Sequence, residues 1–335
     1  MQVSVITAVY NQGQYARQAV ESALAQPETA EVLLVEDGST DDSLSICEQL
    51  AAEYEQVRLL RHPGGANRGY PATLNLGILS SRYEYIAFID ADDYFLPNRF
   101  AVTKAVFDAD PTLDGVYEAF GIHIEDEGAR QRWVAAGHPI ATTTIFQRLA
   151  PEQLLEALLS GKAGSFAKQA LTVRRSLFDK TGLYDEHLLL HQDTAMNFKM
   201  AAVGRLAPGQ IEQPVSIRRV HHGNRVSEPR PQSDIFARKV LTFGTAWLWA
   251  KEHADSRQEK LLLAYFLDRT MRLPHSDRPL PEWTDALQRR VRLLGLLPRY
   301  PSLALRWDYW RRVIPGTRTI AGALTGVPQQ EASGS

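Results

Sequence analysis

Three aspartates in four residues, Asp90-Ala91-Asp92-Asp93, are the densest chemistry in the chain. Carboxylates that close repel one another, so a fold that holds all three needs a cation or open solvent beside them. Mg²⁺ and Mn²⁺ prefer hard oxygen ligands and take one or two carboxylates plus substrate phosphates. The same run could instead be a solvated turn before a helix starting near Pro97. Its place after the apolar run Tyr85–Ile89 favours the cation. A second acid, Asp37, stands in Val35-Glu36-Asp37-Gly38-Ser39-Thr40-Asp41. Ser39, Thr40 or Asp41 can cap the next helix. That leaves Asp37 free to accept a hydrogen bond from a base or ribose.

Other reactive residue types carry less. Cys47 shares a helical spacing with Leu44 and Leu50 and reads as core. His62, His123, His138 and His187 lack ligand spacing. Gly64-Gly65 suits a flexible loop, and neither a dinucleotide fingerprint nor a P-loop is present. The loop Asn11-Gln12-Gly13-Gln14 has one glycine and no Lys or Arg. It fits neither a nucleotidyltransferase nor a Rossmann dehydrogenase.

The elements that must hold these residues alternate in type. Val3–Tyr10, Glu31–Glu36, Val57–Arg61 and Tyr85–Ile89 read as buried strands. Gln14–Gln26, Ser43–Tyr54 and Pro71–Ser80 read as helices between them. This alternation predicts an α/β fold, a mostly parallel sheet with helices on both faces. Ligands then bind outside the carboxyl ends of the strands, where Tyr10, Asp37 and the Asp90–Asp93 run fall. The middle of the chain is less regular, with strands expected at Gly115–Ile124 and Pro214–Val220 and helices at Pro151–Ser160 and Gln192–Val203. From Ser233 it reads as helical: Ile235–Glu252, Arg257–Arg272, Pro281–Leu297 and Ser302–Val313.

The 335 residues are 44% hydrophobic and 23% charged, ordinary for a globular protein and enough for a core. One cysteine excludes an internal disulfide and a Cys-rich zinc site, and suggests a reducing compartment. No run is long enough to span a membrane, and no basic leader precedes Val3, so neither an anchor nor a signal peptide is expected. Net charge divides unevenly. From Arg230 onward, 17 Lys and Arg face 10 Asp and Glu, a net of +7; the preceding 229 residues hold 20 and 29, a net of −9. Two modules are expected, the second basic. The small polar stretch Gln329–Ser335 reads as a disordered tail.

Taken together, VSVITAVYNQGQYARQAVESALAQ, VEDGSTDDS, NRG followed by LNLGI, and YIAFIDADD resemble the family 2 glycosyltransferases of the GT-A fold. Two later segments extend the resemblance: Gly182–Asp193 (GLYDEHLLLHQD) is similar to the family's acidic acceptor-side motif, and Ile217–Ser227 (IRRVHHGNRVS) to its basic, histidine-bearing motif. The resemblance covers roughly residues 1–230. It implies a GT-A catalytic domain over 1–230, split at 112 into a nucleotide-sugar half and an acceptor half. A helical region over 231–328 and a tail over 329–335 lie outside it.

The resemblance also implies roles. Thr7 and Tyr10 line the nucleotide pocket, Asp37 accepts from a base, typically uracil, and Asn67 and Arg68 approach the nucleotide or sugar. Asp90, Asp92 and Asp93 form the DxD-type motif, with Asp92 and Asp93 as ligands of Mn²⁺ or Mg²⁺. His221 is a further metal or phosphate contact, with His222 as its alternate, and Arg219 lies beside the donor. Asp193 is the general base. A metal stabilises the leaving diphosphate without proton transfer, while a carboxylate on the opposite face deprotonates the acceptor hydroxyl. One such displacement inverts the anomeric centre and gives β products from α-linked donors.

The implied partners are a nucleotide-diphospho-sugar, as a UDP-sugar, and an unidentified hydroxyl acceptor in surface-polysaccharide synthesis, with no nucleic acid. The sequence departs from the family at Gln192, where an acid is usual before the base, and at Leu74, where arginine is common before Asn75. Gln192 alone supports an alternative, a module that binds nucleotide-sugar or glycan without turnover. In Leu305–Ile314, Trp307, Trp310 and Ile314 share a helical face flanked by Arg306, Arg311 and Arg312. That pattern suits either a helix packed on the body or peripheral contact with an anionic membrane from the cytoplasmic side.

Overall fold

A strand buried on both sides must divide its apolar residues between two faces, and β1 (Val3–Val9) does so. Val3, Val5 and Val9 join one apolar cluster, and Ile6 joins the other. In β2 (Thr29–Glu36), Val32 and Leu34 follow the first set while Leu33 and Val35 follow the second. Helices α1 (Gly13–Leu24) and α2 (Ser43–Glu53) cover one face; α3 (Tyr70–Ser80) covers the other through Leu74 and Ile78. The computed structural model describes residues 1–138, 140–224, 230–272 and 282–314, apart from the side chains of 232 and 282–286.

Among the described residues, β3 (Val57–Arg61), β2, β1 and β4 (Tyr85–Phe88) form the parallel half of a seven-stranded sheet. Its order continues through three strands of the middle region. These are β8 (Leu171–Arg174), antiparallel to both neighbours, then β6 (Gly115–Tyr117) and β9 (Leu206–Pro208). A smaller sheet joins β5 (Tyr94–Phe95), β10 (Pro214–Val220) and β7 (Ala119–Ile124).

Several expectations change here. The single strand expected at Gly115–Ile124 breaks at Glu118 and serves both sheets. The buried Glu118 carboxylate anchors that switch by accepting from Arg99 (2.5 Å), Thr103 (2.7 Å) and the Gln210 N–H (3.1 Å). The helix expected near Pro97 begins only at Ala101, as α4 (Ala101–Ala109), because Tyr94–Phe95 pairs with β10 and Asn98 turns left-handed at φ 61°. Strands β8 and β9 and helices α5 (Glu127–Ala135) and α7 (Leu177–Thr181) had no clear periodicity in the sequence.

Helices α6 (Pro151–Ser160) and α8 (Gln192–Val203) underlie the middle region, and α9 (Gln232–His253) and α10 (Ser256–Arg272) pack on them. Phe198, Phe243, Trp247, Leu263 and Phe266 belong to the same apolar cluster as Ile6 and Leu74, so the basic helical region shares the core of the sheet. Helices α11 (Glu282–Leu294) and α12 (Trp307–Val313) complete it. The helix expected from Ser302 is broken at Arg306, with a 3-10 turn over Pro301–Leu305 before α12. No helix among the described residues is long and apolar enough to cross a membrane. The stretch 329–335 lies outside the described residues, as do positions 225–227 of the histidine-bearing motif.

Candidate active site

The carboxyl ends of β1, β2 and β4 meet in one crevice, and each end is finished differently. At β1, Thr7 is fully buried with its hydroxyl unpartnered, and Tyr10 is exposed on the rim. At β2, the buried Glu36 accepts from the Ser39 N–H (2.5 Å) and Arg61 (2.9 Å). Burial alone would raise its carboxyl, but the hydrogen bonds from Ser39, Arg61 and the Gly38 backbone together outweigh that and hold it below the usual range.

Asp37 is not left free as the sequence suggested. Its two oxygens accept from the backbone N–H groups of Arg68 (2.7 Å) and Gly69 (3.0 Å). It therefore pins the loop that carries Asn67 and Arg68, whose side chains are exposed. Gly38 allows the close approach: at φ +70° a Cβ there would stand 2.7 Å from the Asn67 nitrogen. His62 Nε2 lies 3.7 Å from Asp37 Oδ1, too long for a hydrogen bond.

At β4 the three aspartates converge, with one oxygen of each within 4.8 Å of the others. Asp90 Oδ1 accepts from the Tyr70 hydroxyl and Oδ2 from Lys168 Nζ, both at 2.5 Å. Burial pushes the Asp90 carboxyl up, but the Lys168 ammonium, the Tyr70 hydroxyl and Arg218 together hold it below the ordinary carboxylate range. Asp93 Oδ1 accepts from the Arg219 N–H (2.9 Å), while Oδ2 is buried with no partner. Burial first, then repulsion from Asp92 and Asp90, pushes its carboxyl well above the ordinary value. An orphaned acceptor facing two like-charged neighbours is what a hard cation would satisfy. The donor set therefore fits a divalent metal.

His221 sits against this cluster, with Nε2 3.0 Å from Asp92 Oδ2. Gly223 N–H donates to Nδ1 (3.2 Å), so the neutral ring carries its proton on Nε2 and donates it to Asp92. As placed, His221 orients Asp92 and offers no free ring nitrogen; Asn224 Nδ2 adds a second donor to the same oxygen (3.1 Å). His222 is exposed. Arg219 is engaged by the protein itself. It donates to the Asp92 carbonyl (2.9 Å), Glu125 (3.2 Å) and Gln18, between the rings of Tyr15 and Tyr94. Those contacts brace β10 against the acidic turn and α1.

Asp193 occupies the first turn of α8, and its Oδ1 is buried without a hydrogen bond. Burial, reinforced by Asp90 and opposed by Lys168 and Arg218, raises its carboxyl above the ordinary 3.8. Lys168 thus links the metal-type cluster to Asp193. Tyr184 and Tyr70 line the same space, and both phenols are pushed well up by burial and these carboxylates. Asn75 holds the loop before α8 by exchanging hydrogen bonds with the Tyr184 backbone at 2.9 Å. Leu74, where the family often has arginine, is in the core.

Lys168, Tyr70, Tyr184, Asn224 and Arg218 were missed in the sequence. Lys168 lies on an irregular 3-10 turn with no motif around it, so nothing short of the fold could find it.

Comparison with known proteins points one way. The model of the family described as glycosyl transferase family 2 matches residues 4–182. The putative glycosyltransferase EpsH of Bacillus subtilis is 28% identical over 296 residues, covering 86% of this chain and 79% of that protein. The succinoglycan biosynthesis protein ExoU of Rhizobium meliloti is 30% identical over 286 residues, covering 79% and 78%. A match to the uncharacterised glycosyltransferase YibD of Escherichia coli, 40% identical over 99 residues, spans only 29% of this chain and 28% of that protein. Among solved structures, S. aureus TarS 1-349 in complex with UDP-GlcNAc superposes with a TM-score of 0.63 at 18% identity, over 89% of this chain and 82% of that one. The mannosyltransferase PcManGT from Pyrobaculum calidifontis, in complex with GDP-Man and Mn²⁺, gives 0.50 at 18% identity, over 93% and 83%.

Proposed function

The chain belongs to glycosyl transferase family 2, and on that premise we propose that it moves a sugar from a nucleotide-diphospho-sugar to a hydroxyl with inversion at the anomeric carbon. One observation carries this reading. A carboxylate cluster with an orphaned buried oxygen on Asp93 shares its crevice with a separate aspartate, Asp193, whose Oδ1 is also buried and unpartnered. Two acidic sites with distinct environments suit two tasks.

Asp92 and Asp93 would hold a divalent cation, which when bound neutralises the leaving diphosphate as a Lewis acid. His221 and Asn224 keep Asp92 oriented for that task. Asp90 is already paired with Lys168 and Tyr70, so it shapes the pocket and stays ionised. Asp193 takes the proton of the acceptor hydroxyl as its oxygen bonds the anomeric carbon; the bond to the diphosphate breaks, and its electrons leave with the phosphate. The raised carboxyl of Asp193 makes it a stronger base than free aspartate. Asp37 retains acceptor capacity on each oxygen for a base N–H. Thr7, Tyr10, Asn67 and Arg68 complete the donor side, and we read Arg219 as a brace of that site.

UDP and GDP are the nucleotides to test first, because the TarS and Pyrobaculum structures hold UDP-GlcNAc and GDP-Man. A growing polysaccharide is the acceptor class suggested by ExoU. We assign catalysis to residues 1–230. Peripheral membrane contact rests on the exposed Leu305, Trp307 and Ile314. Against it, Arg306 and Arg312 are engaged by Glu259 and Asp268. Flotation with anionic liposomes at low salt tests this, and no binding ends it.

The decisive experiment is a thermal-shift screen of nucleotide diphosphates and their sugars, with and without Mn²⁺. A ligand bound only to the folded state raises stability by mass action. A Mn²⁺-dependent shift with one nucleotide, lost in Asp92→Ala, is the expected result. No shift with any nucleotide overturns the proposal.

A further inference from the structure

Strand β10 carries two arginines in succession, and its pleat sends them to opposite faces. Arg219 is enclosed by Glu125, Gln18 and the Asp92 carbonyl. Arg218, on the other face, has no carboxylate within ion-pair distance among the described residues, although it is only half exposed. It is nonetheless held in place. Its guanidinium lies 5.1 Å from the centre of the Phe120 ring. With the Gln169 amide turned so that its oxygen faces the arginine, that oxygen accepts from Nε (3.2 Å) and Nη2 (3.1 Å). Gln169 is fully buried, so this grip comes from the protein's interior.

The position of the held guanidinium matters more than its charge. Gln169 follows Lys168, whose Nζ reaches Asp90, and Arg219, the next residue of β10, bonds Asp93 through its N–H. Arg218 is therefore fixed on the wall of the crevice between those two attachments, and its charge is felt at Asp90, Asp93 and Asp193. A guanidinium has five N–H donors in a rigid fork. Gln169 takes two, and the remainder have no partner among the described residues. A fixed, unpaired, half-buried fork beside a nucleotide-sugar site is built for an oxyanion.

We infer that Arg218 is an anion-binding arm of the donor site, taking a phosphate or carboxylate oxygen of the nucleotide-sugar. This rests on the proposed function, and the test separates the two. Binding of UDP, GDP, UMP, GMP, UDP-glucose and UDP-glucuronate with Mn²⁺ is measured by calorimetry for the native protein and Arg218→Gln. A lost charge-assisted hydrogen bond should weaken the affected ligand roughly 10- to 100-fold.

A loss for UDP or GDP, with the monophosphate unchanged, places the arm on the diphosphate. A loss confined to UDP-glucuronate, with UDP-glucose unchanged, places it on the sugar carboxylate. Affinities within twofold of the native protein for every ligand overturn the inference and leave Arg218 as a counter-charge to the aspartates. Failure of the native protein to bind any nucleotide overturns the proposed function, and this inference with it. If Arg218→Gln does not fold, Arg218→Lys, which keeps the charge and loses the fork, should weaken the same ligand several-fold, and no loss overturns the inference.

Discussion

Strands β2 and β4 flank β1 on either side, and both end in acidic residues. At the β2 end, Glu36 and Asp37 accept from Ser39, Arg61, Arg68 and Gly69, four donors from the protein's own chain. At the β4 end, Asp90 is paired by Lys168, but Asp93 keeps an unpartnered buried oxygen beside two other carboxylates. Every carboxylate oxygen of the first edge already has a protein donor, and its acids build a loop. The second is left short of positive charge. Acid count alone does not distinguish the two edges, whereas unsatisfied acceptors do.

The comparison can be broken most sharply at Asp193, which depends on the β4 edge. Asp193→Asn should lower turnover by roughly 10²- to 10⁴-fold with donor affinity unchanged, measured by nucleotide release and calorimetry. Because a base works ionised and burial raises this carboxyl, native turnover should fall with decreasing pH at values above 3.8. Unchanged turnover in the variant would instead favour a binding module.

The next effect is on stability. Lys168→Met leaves Asp90, 24% exposed, without its buried ammonium and should cost about 3 kcal/mol in denaturant unfolding, the low end for a broken buried pair. The same replacement at the β2 edge, Arg61→Met, should cost only about 0.2–1 kcal/mol, because Arg61 is 39% exposed and the buried Glu36 keeps the Ser39 N–H. Equal costs would erase the distinction between the edges. Between these extremes, Mn²⁺ at about 100 times its Kd should stabilise the native protein by about 2.7 kcal/mol. Asp92→Ala should lose that gain and Asp37→Ala keep it, as read by the thermal midpoint. Asp37→Ala itself leaves two loop N–H groups unpaired and should cost about 1–3 kcal/mol.

Much of the parallel half was legible because its signals are local. Alternating apolar faces in Val3–Val9 and Thr29–Glu36 mark strands buried on both sides, and the expected and observed bounds agree within two residues. The middle region was harder. The chain from Gly115 to Ile124 looks like one strand, and it divides between two sheets at Glu118, whose buried carboxylate is held by Arg99, Thr103 and Gln210 from outside the segment. Short strands such as Leu171–Arg174 are set by their neighbours, since four residues carry no period of their own.

The same division runs through the site. Sequence by itself determined that Asp90, Asp92 and Asp93 stand together at a strand end, because a three-carboxylate run keeps its proximity in any fold. It also determined the family, through motifs spread over residues 3–110. Only the tertiary structure decided what those acids meet. Lys168 comes to Asp90 from 78 residues away, and His221 to Asp92 from 129. Arg218 and Arg219 are chemically alike and adjacent, and the pleat of β10 makes one a brace and leaves the other open. Which carboxylate is satisfied and which is not depends on donors distant in sequence, and packing alone brings those within hydrogen-bond reach.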